Sequence, residues 1–453
     1  MRTMEKRWLI AIVLGAVVLR LAAIVVLQAW DRPNAMEHAA LAINLLEGNG
    51  FAFNAWDYHG PSSVQSPPYP LLLAGLFWLF GAQSAAAYAV AMVINALVGG
   101  AAVALTYLLA RELGAAASVG LVAAFLCAIW PTQVYAVAHA QAVALIIAGT
   151  VATLALFNRA TRTGDLWNWI GFSVAGCLTA LTEAAILPIV FFTGLLILLW
   201  RSLPMRKRVR NAAVLLVAGL VILGPWTVRN YVVHDKLMPV KSSFWVNVWK
   251  GNNPHATGTD RLPLSDEQRR RLEQGSLFST ERLARTGRFD TRRQYDMLSA
   301  EQVEQLSGKP EVARAQLFRE WTTDWIADHP GRYLELAGIR LLKTLWIDWD
   351  NPKGRNIIYV GSRSLLLVLT AIGLALALGR GWRLVWPGLL VGSCLLLYMA
   401  TITAARFSFP LEPLAFCFSG LALVTMFRAV TARRVNDEEG AEEQAMVAER
   451  AGD

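Results

Sequence analysis

Apolar runs of about twenty residues, parted by short polar stretches, recur along most of the chain. A segment needs about 20 such residues to cross the ~30 Å hydrocarbon core of a bilayer. The pattern predicts ten spans, near 8–29, 84–110, 116–131, 133–157, 166–183, 186–201, 211–228, 362–379, 384–402 and 408–428. Short cytoplasmic loops retain Lys and Arg. Arg2, Lys6 and Arg7 before the first span, Arg111, Arg159, Arg162, the cluster Arg201, Arg206, Lys207, Arg208 and Arg210, then Arg380, Arg383, Arg428, Arg433 and Arg434 all fall on one side. That alternation places both termini in the cytoplasm. No small-residue cleavage site follows the first segment, which is too long for a signal-sequence core, so it reads as a retained span.

The opposite side receives two large segments, 30–83 and 229–361. In the first, Glu37 to Leu46 has the spacing of an amphipathic helix ending at Gly48 and Gly50. Pro67 to Phe80 is apolar but too short to span, and is expected to be re-entrant or interfacial. In the second, Ser265-Asp-Glu-Gln268 is a capping box before a charged helix, and Pro310 to Ala327 predicts another, ending at His329-Pro330. Arg332 to Trp349, rich in Leu and Trp, is expected along the membrane surface. The fold class is therefore an all-α polytopic membrane protein. Residues 1–228 form an N-terminal transmembrane module with the first external loop, 229–361 a large external segment, 362–434 the C-terminal transmembrane helices and 435–453 an acidic cytoplasmic tail. No internal repeat stands out.

Composition adds one thing to this picture. The chain is 55% apolar and 17% charged with a formal net charge of +9. The stretch Asp437 to Asp453 holds seven acids and one Arg, so the remainder carries +15. In so apolar a chain that excess belongs to loops flanking spans and a bilayer, with nucleic acid set aside as a partner. Cys127, Cys177, Cys394 and Cys417 all lie inside apolar runs without metal or disulfide spacing, and read as buried thiols. No Walker A or glycine-rich nucleotide fingerprint is present. Two large external segments are unlike a transporter built from short-looped repeats. Chemistry outside the cytoplasm, where nucleotide-activated donors are lacking, needs a lipid-carried one.

Several local patterns, in order, resemble one family. They are Glu37-His-Ala-Ala-Leu-Ala-Ile-Asn-Leu-Leu-Glu-Gly-Asn-Gly-Phe51; Ser66-Pro-Pro-Tyr-Pro-Leu-Leu-Leu-Ala74 with Phe80-Gly81; Pro225-Trp-Thr-Val-Arg-Asn230; Trp249-Lys-Gly-Asn-Asn-Pro-His-Ala-Thr-Gly258; Asp328-His-Pro330; and Arg406 with Pro410 and Pro413. Together they resemble the glycosyltransferase family 39 group of the GT-C superfamily, relatives of the protein O-mannosyltransferases and the lipid A aminoarabinose transferase, over nearly the whole chain. The resemblance implies a GT-C bundle in the bacterial inner membrane. It implies inverting transfer of a sugar from a polyprenyl-phosphate donor to a glycan, lipid or protein acceptor on the periplasmic face. A non-catalytic relative or a transporter of lipid-linked sugar is the alternative.

Such chemistry needs a carboxylate to take the acceptor proton and cations to hold the leaving phosphate. The resemblance puts the acid in the first external loop, where Asp31, Glu37 and Asp57 are available; Asn34 stands where many relatives have Asp, which leaves Glu37 nearest, with Asp57 second. A Glu starting a juxtamembrane helix is also favoured by the helix dipole alone, and both readings stand at this point. Arg229, Lys250 and Arg406 are the phosphate candidates, Arg offering a planar fork of donors and Lys a point charge. His38, His59, Tyr69, His139, Gln141, Glu183, Asn252 and Asn253 complete the substrate-binding candidates. His139 and Gln141 fall where relatives carry an acid, so no metal ligand set is assigned, and a divalent ion is the one cofactor left open. Glu183 stands where relatives tend to have Arg-Pro. A charge in a span is costly without a partner, and Glu183 and Arg20 of the first span are candidates to pair with each other. Trp245, Trp249, Trp346 and Trp349 are expected to be membrane-belt residues.

Overall fold

Backbone buried in lipid must satisfy its own hydrogen bonds, which leaves an open chain only the helix, and each of the ten predicted spans is helical in the structure, a computed structural model describing residues 3–201, 203–263, 265–267, 270 and 293–452. The helices are α1 (Thr3–Val26), α2 (Glu37–Leu46), α3 (Pro68–Phe80), α4 (Ala85–Leu113), α5 (Ala117–Ile129), α6 (Pro131–Ala136), α7 (Val143–Thr163), α8 (Leu166–Thr182), α9 (Leu187–Leu199), α10 (Met205–Ile222), α11 (Gly224–His234) and α12 (Phe244–Gly251). They continue with α13 (Ala300–Leu306), α14 (Glu311–Asp328), α15 (Pro330–Leu345), α16 (Ile357–Gly379), α17 (Val385–Ala400) and α18 (Glu412–Gly452). Among the described residues β-structure is limited to isolated bridges. The charged helix expected after the Ser265 capping box falls largely outside the described residues.

Five helical stretches, α1, α4, α7, α16 and Ala405–Ala432, are long and apolar enough to cross a membrane, and α10 with α11 makes a sixth, bent by 49°. The spans predicted at α5, α8, α9 and α17 are shorter apolar helices, as is α3. The fourth span starts ten residues later than its apolar run. Residues 137–142 form a turn whose polar groups bond outward: Ala140 N donates to Pro33 O at 2.8 Å and Gln141 Nε2 to Asn34 O at 2.7 Å, while Asn95 Nδ2 donates to His139 O at 2.9 Å.

Arg20 does not pair with Glu183. Its guanidinium donates to Cys127 O at 3.0 Å and Ala128 O at 2.9 Å, at the end of α5. Pro131 has no N–H to offer the Cys127 carbonyl, so an Arg from a neighbouring helix satisfies what the break between α5 and α6 exposes. Gly99 of α4 makes room for it: a Cβ there would sit 2.7 Å from Arg20 Nε. A tighter approach joins α16 to α18, where a Cβ at Gly373 would lie 1.9 Å from Phe418 O. Backbone cannot retreat as a side-chain tip can, so Gly373→Ala is expected to cost about 1–3 kcal/mol by overpacking. Thermal unfolding in detergent checks it; an unshifted transition would show that the two helices separate freely.

Outside the bundle, the segments 30–83 and 229–361 fold onto each other. The buried Glu311 at the start of α14 accepts from Ser62 Oγ at 2.6 Å and Ser63 N at 3.1 Å, Arg314 donates to Ala55 O, and Gly308 N donates to Trp56 O at 2.8 Å. Burial, which disfavours the charged form, raises the Glu311 carboxyl above its ordinary range. Trp56, Trp249, Tyr295, Phe318 and Trp321 form a small aromatic core here. Trp249, at 5% exposure, is therefore core and not membrane belt. The amphipathic α15 buries Arg340, Lys343 and Thr344 along with Leu336, and leaves Leu334, Leu342 and Leu345 exposed. Arg340 donates to Met399 O, Gly251 O and Asn252 Oδ1, and so anchors the end of α12.

Candidate active site

The loop-side surface of the bundle gathers charged side chains from four separate stretches of chain. Glu37 is the first residue of α2, where four backbone N–H groups point toward its side of the helix. It is partly exposed, and Gln65 Nε2 donates to its Oε2 at 3.3 Å. Its charge acts on Tyr295, as do those of Lys250 and Asp260. Lys250, in the last turn of α12, holds its ammonium 4.3 Å from the Tyr295 ring centroid. Burial raises the Tyr295 hydroxyl above its ordinary range.

Asp260 lies nine residues beyond α12. Its Oδ2 accepts from Arg293 Nη1 at 2.5 Å, and Gln294 N donates to its backbone carbonyl at 3.0 Å. An isolated antiparallel bridge pairs Arg261 with Arg293 and so sets their side chains on adjoining backbone. Burial alone would raise the Asp260 carboxyl; the charges of Arg293, Lys250, Arg261 and Arg406 outweigh it and hold the group below the usual carboxylate range. Arg406, exposed in the 3₁₀ segment Ala405–Leu411, has Nη1 3.3 Å from Met36 Sδ, next to Glu37.

Arg406 also acts on His38. His38 is 8% exposed and tilted against Tyr69 with centroids 5.3 Å apart, and its Nδ1 has no partner. Burial first, then the charges of Lys241 and Arg406, push its pKa down to about 3, so the ring is neutral at physiological pH. Lys241 in turn donates to Glu183 Oε2 at 3.3 Å. Glu183 thus reaches the same neighbourhood through a cation that sequence inspection missed.

Glu37 and Lys250 thus share Tyr295 as a neighbour, Arg406 lies against Met36 beside Glu37, and Lys241, paired with Glu183, acts on His38. The remaining candidates make the following contacts. Arg229 donates to Ser62 O at 2.7 Å, Ser63 Oγ at 2.9 Å and Phe51 O at 2.9 Å, and lies over the Phe51 and Trp226 rings. Asp57 and His59 sit exposed on the hairpin bridged at Ala52–Pro61 and Ala55–Tyr58, with Asp57 accepting from Ser307 Oγ at 3.3 Å. Tyr69 accepts from Asn95 Nδ2 at 3.0 Å. His139 packs edge-on against Tyr135, centroids 4.6 Å apart. Gln141 holds Asn34 O, as above. Asn252 Nδ2 donates to Val248 O and Thr401 O, and Asn253 Nδ2 to Trp249 O. Asp260, Arg261, Arg293 and Tyr295 had escaped notice because the Gly-Asn-Asn-Pro motif ends at Gly258; the alternation of acid and Arg just beyond it was the available signal.

Among the described residues no group of three or more His, Cys, Asp or Glu comes together to hold a metal ion. Glu183 and Asp260 are each paired with a cation, Lys241 and Arg293, and Glu37 stands apart from both pairs, a donor set that does not suit a divalent ion.

No protein-family model matches the chain, and no curated protein does. Solved structures do. The archaeal oligosaccharyltransferase AglB from Archaeoglobus fulgidus, in complex with an inhibitory peptide and a dolichol-phosphate, is 14% identical with a TM-score of 0.51 over 96% of this chain and 52% of that one. The apo oligosaccharyltransferase of the same organism gives 15% and 0.46 over 97% and 53%. ArnT from Cupriavidus metallidurans bound to undecaprenyl phosphate gives 15% and 0.39 over 94% and 79%. The fold is similar to that of the archaeal oligosaccharyltransferase AglB. The chain spans about half the length of the oligosaccharyltransferases.

Proposed function

We propose that the protein is an inverting glycosyltransferase of the bacterial inner membrane, with its site on the periplasmic face and a polyprenyl-phosphate-linked sugar as donor. The observation that carries this reading is one partly exposed carboxylate, Glu37, with Arg406 against the neighbouring Met36 and with Lys250 acting on the same Tyr295. The AglB relative with a dolichol-phosphate supports a lipid-carried phosphate as the ligand.

In this reading an acceptor hydroxyl approaches the anomeric carbon from the Glu37 side. Its oxygen bonds that carbon, its proton passes to a Glu37 oxygen, and the bond from carbon to phosphate oxygen breaks with its electron pair leaving on polyprenyl phosphate. Attack opposite the leaving group inverts the centre. Lys250 and Arg406, with Arg261 and Arg293 behind them, stabilise the charge that grows on the phosphate. His38, held neutral, hydrogen-bonds without adding charge. Arg229 fixes the first loop, and through it the position of α2, and Asp57 takes no part in the proton transfer.

The test is reconstitution in lipid nanodiscs with polyprenyl-phosphate-linked sugars and an acceptor extract, following release of polyprenyl phosphate by mass spectrometry. Arg406→Ala is expected to raise the donor KM about 10- to 100-fold, the cost of removing one partner of a charge-assisted contact. A protein that consumes no lipid-linked donor with any acceptor would refute the reading.

A further inference from the structure

At the end of the bundle away from the candidate active site, α7, α8, α9 and α17 enclose a groove of about 300 Å³. Phe157 and Phe172 line it and are buried, while Phe192, Leu195 and Leu389 flank its open side and are about half exposed. Thr153 and Ser393 line it too, but their hydroxyls donate to Gly149 O at 2.7 Å and Leu389 O at 2.8 Å of their own helices. The walls therefore present carbon, which suits a hydrocarbon chain and not a polar solute.

Charge lies at the mouth of the same groove. Trp200, just beyond α9, meets Trp386 of the groove with ring centroids 5.5 Å apart, which brings the two flanking connections together. One of them, with the first turns of α10, carries Arg201, Arg206, Lys207, Arg208 and Arg210; the other, between α16 and α17, carries Arg380 and Arg383. Arg208 donates to Leu198 O at 3.1 Å and Arg210 to Gly164 O at 3.3 Å, whereas Arg201, Arg206, Lys207, Arg380 and Arg383 are exposed. Among the described side chains the acids at this end are Glu5, Glu112 and Asp165, and each is engaged, with the Tyr107 hydroxyl, Arg162 at 2.9 Å and Asn168 N at 3.1 Å. Retention of Lys and Arg on one side of a membrane accounts for cations here. It does not account for a cavity opening beside them.

We propose that the groove is a binding site for an anionic glycerophospholipid of the leaflet at this end. One acyl chain lies along α9 and α17, past Leu195, Phe192 and Leu389, and the phosphate is held among the exposed cations of the two connections. Phosphate oxygens accept the forked donation of guanidinium groups, and basic pockets between membrane helices favour anionic headgroups. A zwitterionic lipid supplies the chain without the net charge, and a soluble anion the charge without the chain. Bound there, the lipid joins α9 to α17, whose opposite ends lead to Glu183 and to Arg406. It steadies the scaffold under the candidate site whatever that site transfers.

The experiment places the full-length protein in phosphatidylcholine nanodiscs doped with phosphatidylglycerol that carries a photoactivated diazirine midway along one chain, and maps the cross-linked peptides by mass spectrometry. Label is expected on α9 and α17 around Leu195 and Leu389, about tenfold above that from a phosphatidylcholine with the same diazirine chain, with the excess shrinking as salt is raised. The double variant Arg201→Gln with Lys207→Gln, changed at exposed positions outside the groove, should bring the label to within about twofold of the phosphatidylcholine level. Label spread evenly over the lipid-facing helices, or equal label from the two lipids, would mean ordinary bilayer contact and overturn the proposal. Displacement of the label by polyprenyl phosphate at a lower concentration than by unlabelled phosphatidylglycerol would give the groove to a polyprenyl lipid, and cross-links between two copies of the chain at α9 would give it to an oligomer; either result ends the proposal. The map on wild-type protein decides the matter even where the variant fails to fold.

Discussion

Glu37→Gln is expected to lower sugar transfer about 10³-fold while leaving folding intact. A positioned general base contributes typically 10²–10⁴-fold, and the amide keeps the size and reach of the carboxylate but not its capacity to take a proton. The local structure gives the change little else to disturb. Glu37 opens α2 rather than closing a buried network, and for its bond from Gln65 Nε2 at 3.3 Å an amide oxygen is an adequate acceptor. Asp57→Asn is the control, expected within about twofold of wild type, since Asp57 lies exposed on its hairpin against Ser307. Rates are compared by release of polyprenyl phosphate at matched expression and thermal stability. Undiminished transfer by Glu37→Gln would remove Glu37 as the base, and loss of transfer in Asp57→Asn would move the assignment to the hairpin.

How much of this was legible in the chain differs from element to element. The apolar helices were, because an unbroken apolar run is visible without tertiary contacts, although only five or six of the ten predicted spans are long and apolar enough to cross a membrane. The start of α7 was not, since His139 and Gln141 look tolerable inside an apolar helix until Pro33, Asn34 and Asn95 provide hydrogen bonds that favour a turn. The partner of Arg20 was misread for a related reason. A buried charge suggests an opposite charge, but the carbonyl left over by Pro131 is invisible without knowing which helix lies beside it. Trp249 and the burial of Arg340 and Lys343 in α15 were likewise decided by packing between distant segments. In the site, Glu37, Lys250 and Arg406 lie in or beside motifs with local spacing, whereas Asp260 and Arg293 are 33 residues apart and meet only through the bridge of Arg261 with Arg293.

Beneath the site, Glu412→Leu is expected to destabilise the protein by about 3–5 kcal/mol, the cost of leaving a buried partner charge uncompensated. Glu412 and Arg363 are 2% and 4% exposed, joined at 2.8 Å. Arg363 also donates to Thr344 O at 2.8 Å, Leu345 O and Trp346 O at 2.9 Å, the last carbonyls of α15, which have no helical partner of their own. The other oxygen of Glu412 accepts from Gln133 Nε2 at 2.7 Å and from Thr132 Oγ1. One ion pair therefore ties α6, α16 and α18 to the end of α15, and α15 carries Arg340, whose bonds to Gly251 O and Asn252 Oδ1 steady the helix end that bears Lys250. Removing the acid strands a guanidinium among groups that cannot neutralise it; removing both charges does not. The double variant Arg363→Met with Glu412→Leu should accordingly be less destabilised than Glu412→Leu alone, and a double-mutant cycle on unfolding in detergent reads the coupling directly. Additive losses would mean that the pair is wetter than its burial indicates, and that α15 is held by Arg340 and Lys343 without help from below.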